Sequence, residues 1–271
     1  YLISGITLNR FFALHVVALP IVLLALVLLH LLALHEVGSN NPDGVEIKKN
    51  KGPDGIPVDG VAFHPYYTVH DLQAIAVFLF IFCFVIFFMP EVGGLFLEAP
   101  NFEIANPLKT PEHIAPVWYF TPYYSVLRAI PDKFWGFVAF AASVAIPFLL
   151  PWLDRSRVKS IRYRGWMTKA ALVVFTSSFI ILGVLGIKAP TEDRTLLAQI
   201  CSVIYFSFFL LMPVWTSLEK THPEPDRVTT DGGMGGFKAL MVLALILGLA
   251  FVPLKGAGSE AAYDCGQLPC D

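Results

Sequence analysis

Residues 9–44 read NRFFALHVVALPIVLLALVLLHLLALHEVGSNNPDG, an almost unbroken apolar run that carries His15, His30 and His35. A run of this kind is long enough to cross the roughly 30 Å hydrocarbon core of a bilayer, which takes about 20 residues of helix. The rest of the chain agrees. Hydrophobic residues make up 56% of the 271, charged residues only 15%, and the mean hydropathy is +0.65, far outside the range of a soluble domain. Working outward, six apolar runs emerge, at about 11–34, 72–89, 134–153, 166–187, 196–218 and 237–254. In lipid a segment must satisfy its own backbone, so the expected fold is an all-α integral membrane protein with about six transmembrane helices. Pro20, Pro147 and Pro213 fall inside runs and are expected to kink them.

The lysines and arginines orient the helices. The connection 154–169 holds six of them, and alternating the loops from there puts 12 on its side and 7 on the other. The first helix therefore runs inward, in a protein expected to cross its membrane several times. The sequence opens on Tyr1 without a methionine or a signal-peptide pattern, which suggests an upstream part. Cys83 and Cys201 sit in apolar runs as packing residues, whereas Cys265 and Cys270 fall on the outer side, where a disulfide persists. No CxxCH, P-loop or GxGxxG motif occurs, "TTDGGMGGFK" reads as a linker, and no nucleic-acid partner is expected.

His15 and His30 are 15 residues apart. On a straight helix that is about 22 Å of rise and about 60° of azimuth, so both face one side of the bundle at opposite depths. A single buried histidine is usually just hydrogen-bonded to a neighbour. Two at opposite depths on one helix are better suited to function, because ionisable groups in lipid are costly and imidazole is a common axial ligand of heme iron.

Several segments carry a more specific signal: "TLNRFFALH", "LHLLALHEVGSNNPDG", "FHPYYTVHD", "ANPLKTPEHIAPVWYFTPYYSVLRAIPDK" and "IYFSFFLLMPVW". Together they resemble cytochrome b of the respiratory cytochrome bc complex, from its fourth helix onward, over about residues 5–219. The resemblance implies two heme b groups. His15 corresponds to the ligand of the low-potential heme near the outer face and His30 to that of the high-potential heme near the inner face, each iron taking its second histidine from an earlier helix. It also implies an inner quinone-reduction site at His35, Ser39, Asn40 and Asp71, where an imidazole and a carboxylate relay protons to the quinone. His70, beside Asp71, is a weaker candidate for the same path.

The outer ubiquinol-oxidation site implied by the resemblance is carried by Pro116, Trp118, Tyr119, Phe120 and Tyr124. Val117 stands where relatives often carry a proton-accepting glutamate, so the acceptor is expected to be Glu112, next to His113, or a carboxylate from the missing upstream part. On this reading the chain is the C-terminal portion of a longer subunit. It is organised as a heme-ligating helix (1–36), an inner loop (37–71), a C-terminal cytochrome b domain (72–218) with an outer loop at 91–133, a linker (219–236), an extra helix (237–254) and an outer tail (255–271). The implied partners are a Rieske iron-sulfur subunit, a cytochrome c1-type subunit and the N-terminal portion of cytochrome b, in a homodimeric complex. From the residues alone two other classes stay open: a proton-coupled transporter in which the histidines and Asp71 relay protons, and a structural anchor.

Overall fold

The computed structural model describes residues 4–91, 97, 104, 106, 108 and 114–229. Among these the protein is all-helical, and five helices are long and apolar enough to cross a membrane. They are α1 (Gly5–Val37), α2 (Phe63–Phe88), α4 (Lys133–Leu153), α5 (Trp166–Ile187) and α6 (Glu192–Leu210). Two shorter helices complete the set: α3 (Thr121–Ala129) and α7 (Met212–Leu218). The sixth apolar run, Cys265 and Cys270, Glu112 and His113 lie outside the described residues.

The prolines act where the sequence puts them, but in three different ways. Pro20 has no N–H to offer four residues back, and the chain ahead of it widens into a π turn at Leu14–Ala18 without leaving the helix. Pro147 tightens α4 into a 3₁₀ turn at Ile146–Leu149. Pro213 does not kink a single helix as expected: α6 stops at Leu210 and α7 begins afresh at Met212, with the proline in its first turn, where a missing N–H costs nothing.

α3, α4, α5 and α6 form the packed body, with α3 lying against α5, α4 and α6, and α5 against α6. The core is Val126, Ala129, Ile146, Leu182, Leu185, Ala198, Cys201, Tyr205 and Phe209. Small and hydroxylated residues bring the helices close, as membrane helices require. A Cβ on Gly186 would strike the Thr121 carbonyl, so glycine alone permits this crossing of α5 and α3. Ser143, Ser178 and Ser202 are buried, and each donates its hydroxyl to a carbonyl on its own helix, of Phe140, Phe175 and Ala198. Tyr205 then ties α6 to α4 by donating to the Ser143 carbonyl at 2.8 Å.

α1 and α2 are different: no residue on either is buried, and neither packs substantially on the body. Cys83 is consequently exposed on α2 rather than packed, while Cys201 is in the core.

Candidate functional site

His15 lies inside the π turn, and His30 stands about 18 Å of helical rise beyond its last residue along α1. The extra residue of a π turn shifts azimuth by up to about 100°, which moves the expected offset from about 60° on one side toward about 40° on the other. Both values keep the two imidazoles on one half of the helix. Both side chains are exposed, and neither ring nitrogen makes a hydrogen bond among the described residues.

At the other end of α1, His35 sits in the last turn, and Gly38 (φ +82°) ends the helix in a conformation only glycine adopts readily. Lys48 reaches back to donate to the Glu36 carbonyl at 3.0 Å. The turn delivers Ser39 and Asn40 to the surface, and Asn41 then knots the loop by accepting from the Asp43 and Val45 amides and donating to the Val45 carbonyl. Asp71, in the first turns of α2, is exposed, and no hydrogen bond or ion pair joins it to His35 among the described residues. His70 is turned away, its Nδ1 2.9 Å from the Tyr66 carbonyl and its ring against Tyr66 at 4.5 Å.

Sequence reasoning missed what holds this surface together. Asp43 is fully buried and accepts from Arg162 (2.9 Å), Tyr163 (3.0 Å), and both the amide (2.8 Å) and hydroxyl (2.9 Å) of Thr229. The Thr229 amide, with the Arg162 guanidinium and the two hydroxyls, holds its carboxyl down at about 2 against the drag of burial. Asp59–Arg227 (2.6 Å) and Glu46–Lys159 (2.9 Å) bind the same three segments. The loops after α1, after α4 and after α7 thus share one face, as the alternation of lysines and arginines requires. The only signal for Asp43 in the sequence was the Asn-Pro-Asp-Gly turn.

The outer segment is more built than a loop. Trp118–Phe120 form a 3₁₀ turn that runs into α3, and Thr121 closes it by donating to the Trp118 carbonyl at 2.6 Å. α3 buries Thr121, Pro122, Ser125, Val126 and Ala129 against the body. Trp118 (50% exposed), Tyr119 (54%) and Phe120 (47%) remain half in the open with Pro116 and Val117 beside them. Tyr124 donates to the Ile114 carbonyl at 3.2 Å, and the Arg128 guanidinium lies 4.6 Å from its ring. Arg128 in turn donates to the carbonyls of Leu185 (2.6 Å) and Lys188 (3.1 Å), capping the end of α5. It is the second residue that sequence reasoning missed, visible there only as a lone arginine in "YYSVLRAIP".

Comparison with known proteins bears on these sites together. A family model described as Cytochrome b(N-terminal)/b6/petB matches residues 2–122, and one described as Cytochrome b(C-terminal)/b6/petD matches residues 104–206. Cytochrome b of Allochromatium vinosum is 56% identical over 238 residues, 85% of this chain and 57% of that protein. A cytochrome b/c1 of Bradyrhizobium diazoefficiens is 36% identical over 268 residues, 98% of this chain and 37% of that protein. A solved structure described as a hyperthermophilic respiratory Complex III superimposes with a TM-score of 0.71 at 42% identity, over 80% of this chain and 53% of that one. The chain spans about half the length of the curated cytochromes b it matches. Since models of both the N-terminal and the C-terminal part match, the expectation of a C-terminal portion alone is not supported. With residues 2–206 matched by two consecutive models of one family, and relatives at 56% and 41% identity, the chain belongs to the cytochrome b family.

Proposed function

We propose that this chain is the electron-carrying cytochrome b of a quinol:cytochrome c oxidoreductase in a bacterial inner membrane. The observation that supports the reading is that His15 and His30 stand fifteen residues apart on one long, largely apolar helix unpacked by the described residues. Proteins of the family bind heme b, and these two imidazoles, exposed and free of competing hydrogen bonds among the described residues, suit one axial position each. When bound, two such hemes supply one-electron carriers on the two sides of the membrane.

The chain's own residues supply the rest. At the outer site Pro116, Trp118, Tyr119 and Phe120 offer an aromatic surface for the head group of ubiquinol, and Tyr124, held by Arg128 and Ile114, fixes its floor. Val117 accepts no proton, so Glu112, or a carboxylate from another part of the protein, takes that role. At the inner site Ser39 and Asn40 orient the quinone, and His35 and Asp71 deliver the two protons that its reduction consumes. Proton release on one side and uptake on the other give a Q cycle. The partners on this reading are a Rieske iron-sulfur subunit and a cytochrome c1-type subunit in a homodimeric complex, with the second histidine of each heme coming from another helix set beside α1.

The test is a dithionite-minus-ferricyanide spectrum with a pyridine hemochrome assay on the purified complex, wild type, His15→Leu and His30→Leu. Two b-type hemes per copy, a different one lost in each variant, is the expected result. Absence of any b-type signal in wild type overturns the reading and leaves a proton-coupled transporter in its place.

A further inference from the structure

A cavity of about 990 Å³ separates α4 from α5 and reaches to α6 and α7. This is the upper end of the size range of small-molecule sites, roughly 300–1,000 Å³. One wall is a single stripe of α5, Thr168, Leu172, Phe175 and Phe179, at the spacing that repeats on one helix face. From Thr168 to Phe179 the stripe rises about 16 Å, close to half of a hydrocarbon core of about 30 Å, so the cavity has the depth of one membrane leaflet. Phe208 and Trp215 face it from α6 and α7, and Tyr123 lies at its deep end.

Its shallow end is polar and basic. Asp154 and Arg164 line it but neutralise each other at 2.6 Å. Lys159 lines it too but is paired with Glu46 at 2.9 Å, whereas Arg155, Arg157 and Lys169 directly adjoin the lining residues Ser156, Val158 and Thr168. Arg155, Arg157 and Lys169 have no ion-pair partner among the described residues. Thr216 fixes the backbone at this rim by accepting from the Arg155 amide at 3.1 Å. An apolar slot one leaflet deep, crowned by unneutralised cations on the face that the positive-inside pattern assigns to the cytoplasm, matches a molecule with a hydrocarbon chain and an anionic head. A quinone has the chain but no charge to answer those cations.

We propose that this cavity binds an acyl chain of one anionic phospholipid from the cytoplasmic leaflet, its phosphate meeting Arg155 and Arg157. The site is independent of the heme and quinone sites, so it stands or falls separately from the function proposed above. The bound lipid fills the gap between α4 and α5 and joins the loop after α4 to the membrane surface.

Native mass spectrometry of the whole purified complex, titrated with dioleoylphosphatidylglycerol or dioleoylphosphatidylcholine, tests it. The wild type is expected to retain one phosphatidylglycerol per copy under conditions that strip phosphatidylcholine. Arg155→Gln with Arg157→Gln should weaken that binding about 25-fold, at about fivefold per cation near the membrane surface. Leu172→Trp, which fills the slot, should abolish it. A second readout uses phosphatidylglycerol brominated on its chains, which should quench a fluorescence component that Trp215→Phe removes. Equal retention of the two lipids by wild type, or unchanged retention in the double arginine variant, overturns the proposal. So does a photo-reactive residue at position 172 that cross-links to protein rather than lipid. Should Leu172→Trp fail to assemble, the arginine variant and the quenching decide.

Discussion

α1 and α5 are both apolar and both long enough to span a bilayer, yet they solve the problem of having neighbours in opposite ways. α5 carries Gly183 and Gly186, which let Thr121 and Pro122 of α3 press close to its backbone. From Asn9 to Val37, α1 has no glycine, serine or threonine at all; its surface is leucine, valine, alanine and histidine. In lipid, where apolar surface alone gives helices no reason to associate, the small-residue face of α5 admits another backbone closely, and α1 offers no such face. The difference teaches that apolar length alone does not decide what a helix packs against; small residues at the crossing do.

The sharpest way to break this contrast is to remove the glycine on which it rests. Gly186→Ala places a Cβ into the Thr121 carbonyl and should destabilise the packed body by about 2–3 kcal/mol, the upper part of the overpacking range, whereas Gly5→Ala on α1, with open space around it, should stay within about 0.5 kcal/mol. Guanidinium titrations of the two variants would show it, and equal losses would refute the division into packed and unpacked regions. Next in size is Arg128→Gln, which strips a charged donor from the Leu185 and Lys188 carbonyls and frees the Tyr124 ring; it should cost about 1.5–3 kcal/mol and raise the KM for quinol more than it lowers kcat. A stability loss with an unchanged KM would leave Arg128 a helix cap and nothing more.

Acid sharpens the comparison from the loop side. The Asp43 carboxyl is held at about 2, below its ordinary 3.8, so its contribution is fully present above pH 3.8 and drains away as pH falls toward 2. The midpoint of thermal unfolding of wild type should drop across that window, while Asp43→Asn, less stable at neutral pH, should show a shallower drop. Parallel curves would exclude Asp43 as the titrating anchor. The smallest effect is expected for Lys159→Ala, since the Lys159–Glu46 pair is largely exposed (62% and 43%); its thermal midpoint should not move measurably.

The sequence made the spans legible because apolar length is a local property, and it made His15 and His30 legible because an imidazole in such a run is conspicuous. The boundaries were another matter. α1 begins at Gly5 and the regular α-helix of α2 at Thr68, before the apolar runs at 11 and 72, because polar residues such as Asn9, Arg10, His70 and Asp71 continue a helix that hydropathy alone truncates. α3 was hidden inside an expected loop, since nine residues with a polar face give no membrane signal. Asp43 was illegible for a different reason: its partners lie 119, 120 and 186 residues away, and no local pattern encodes such a meeting.

The π turn ahead of Pro20 has a consequence for how this helix tolerates change in length. It stores one residue more than an α-helical turn of the same rise, so it acts as slack in an otherwise taut rod. Deleting Val17 would let the turn relax to ordinary α-helix while Asn9 and His30 keep their depths and bearings. The same deletion below Pro20 has no slack to draw on and would swing everything beyond it by about 100°.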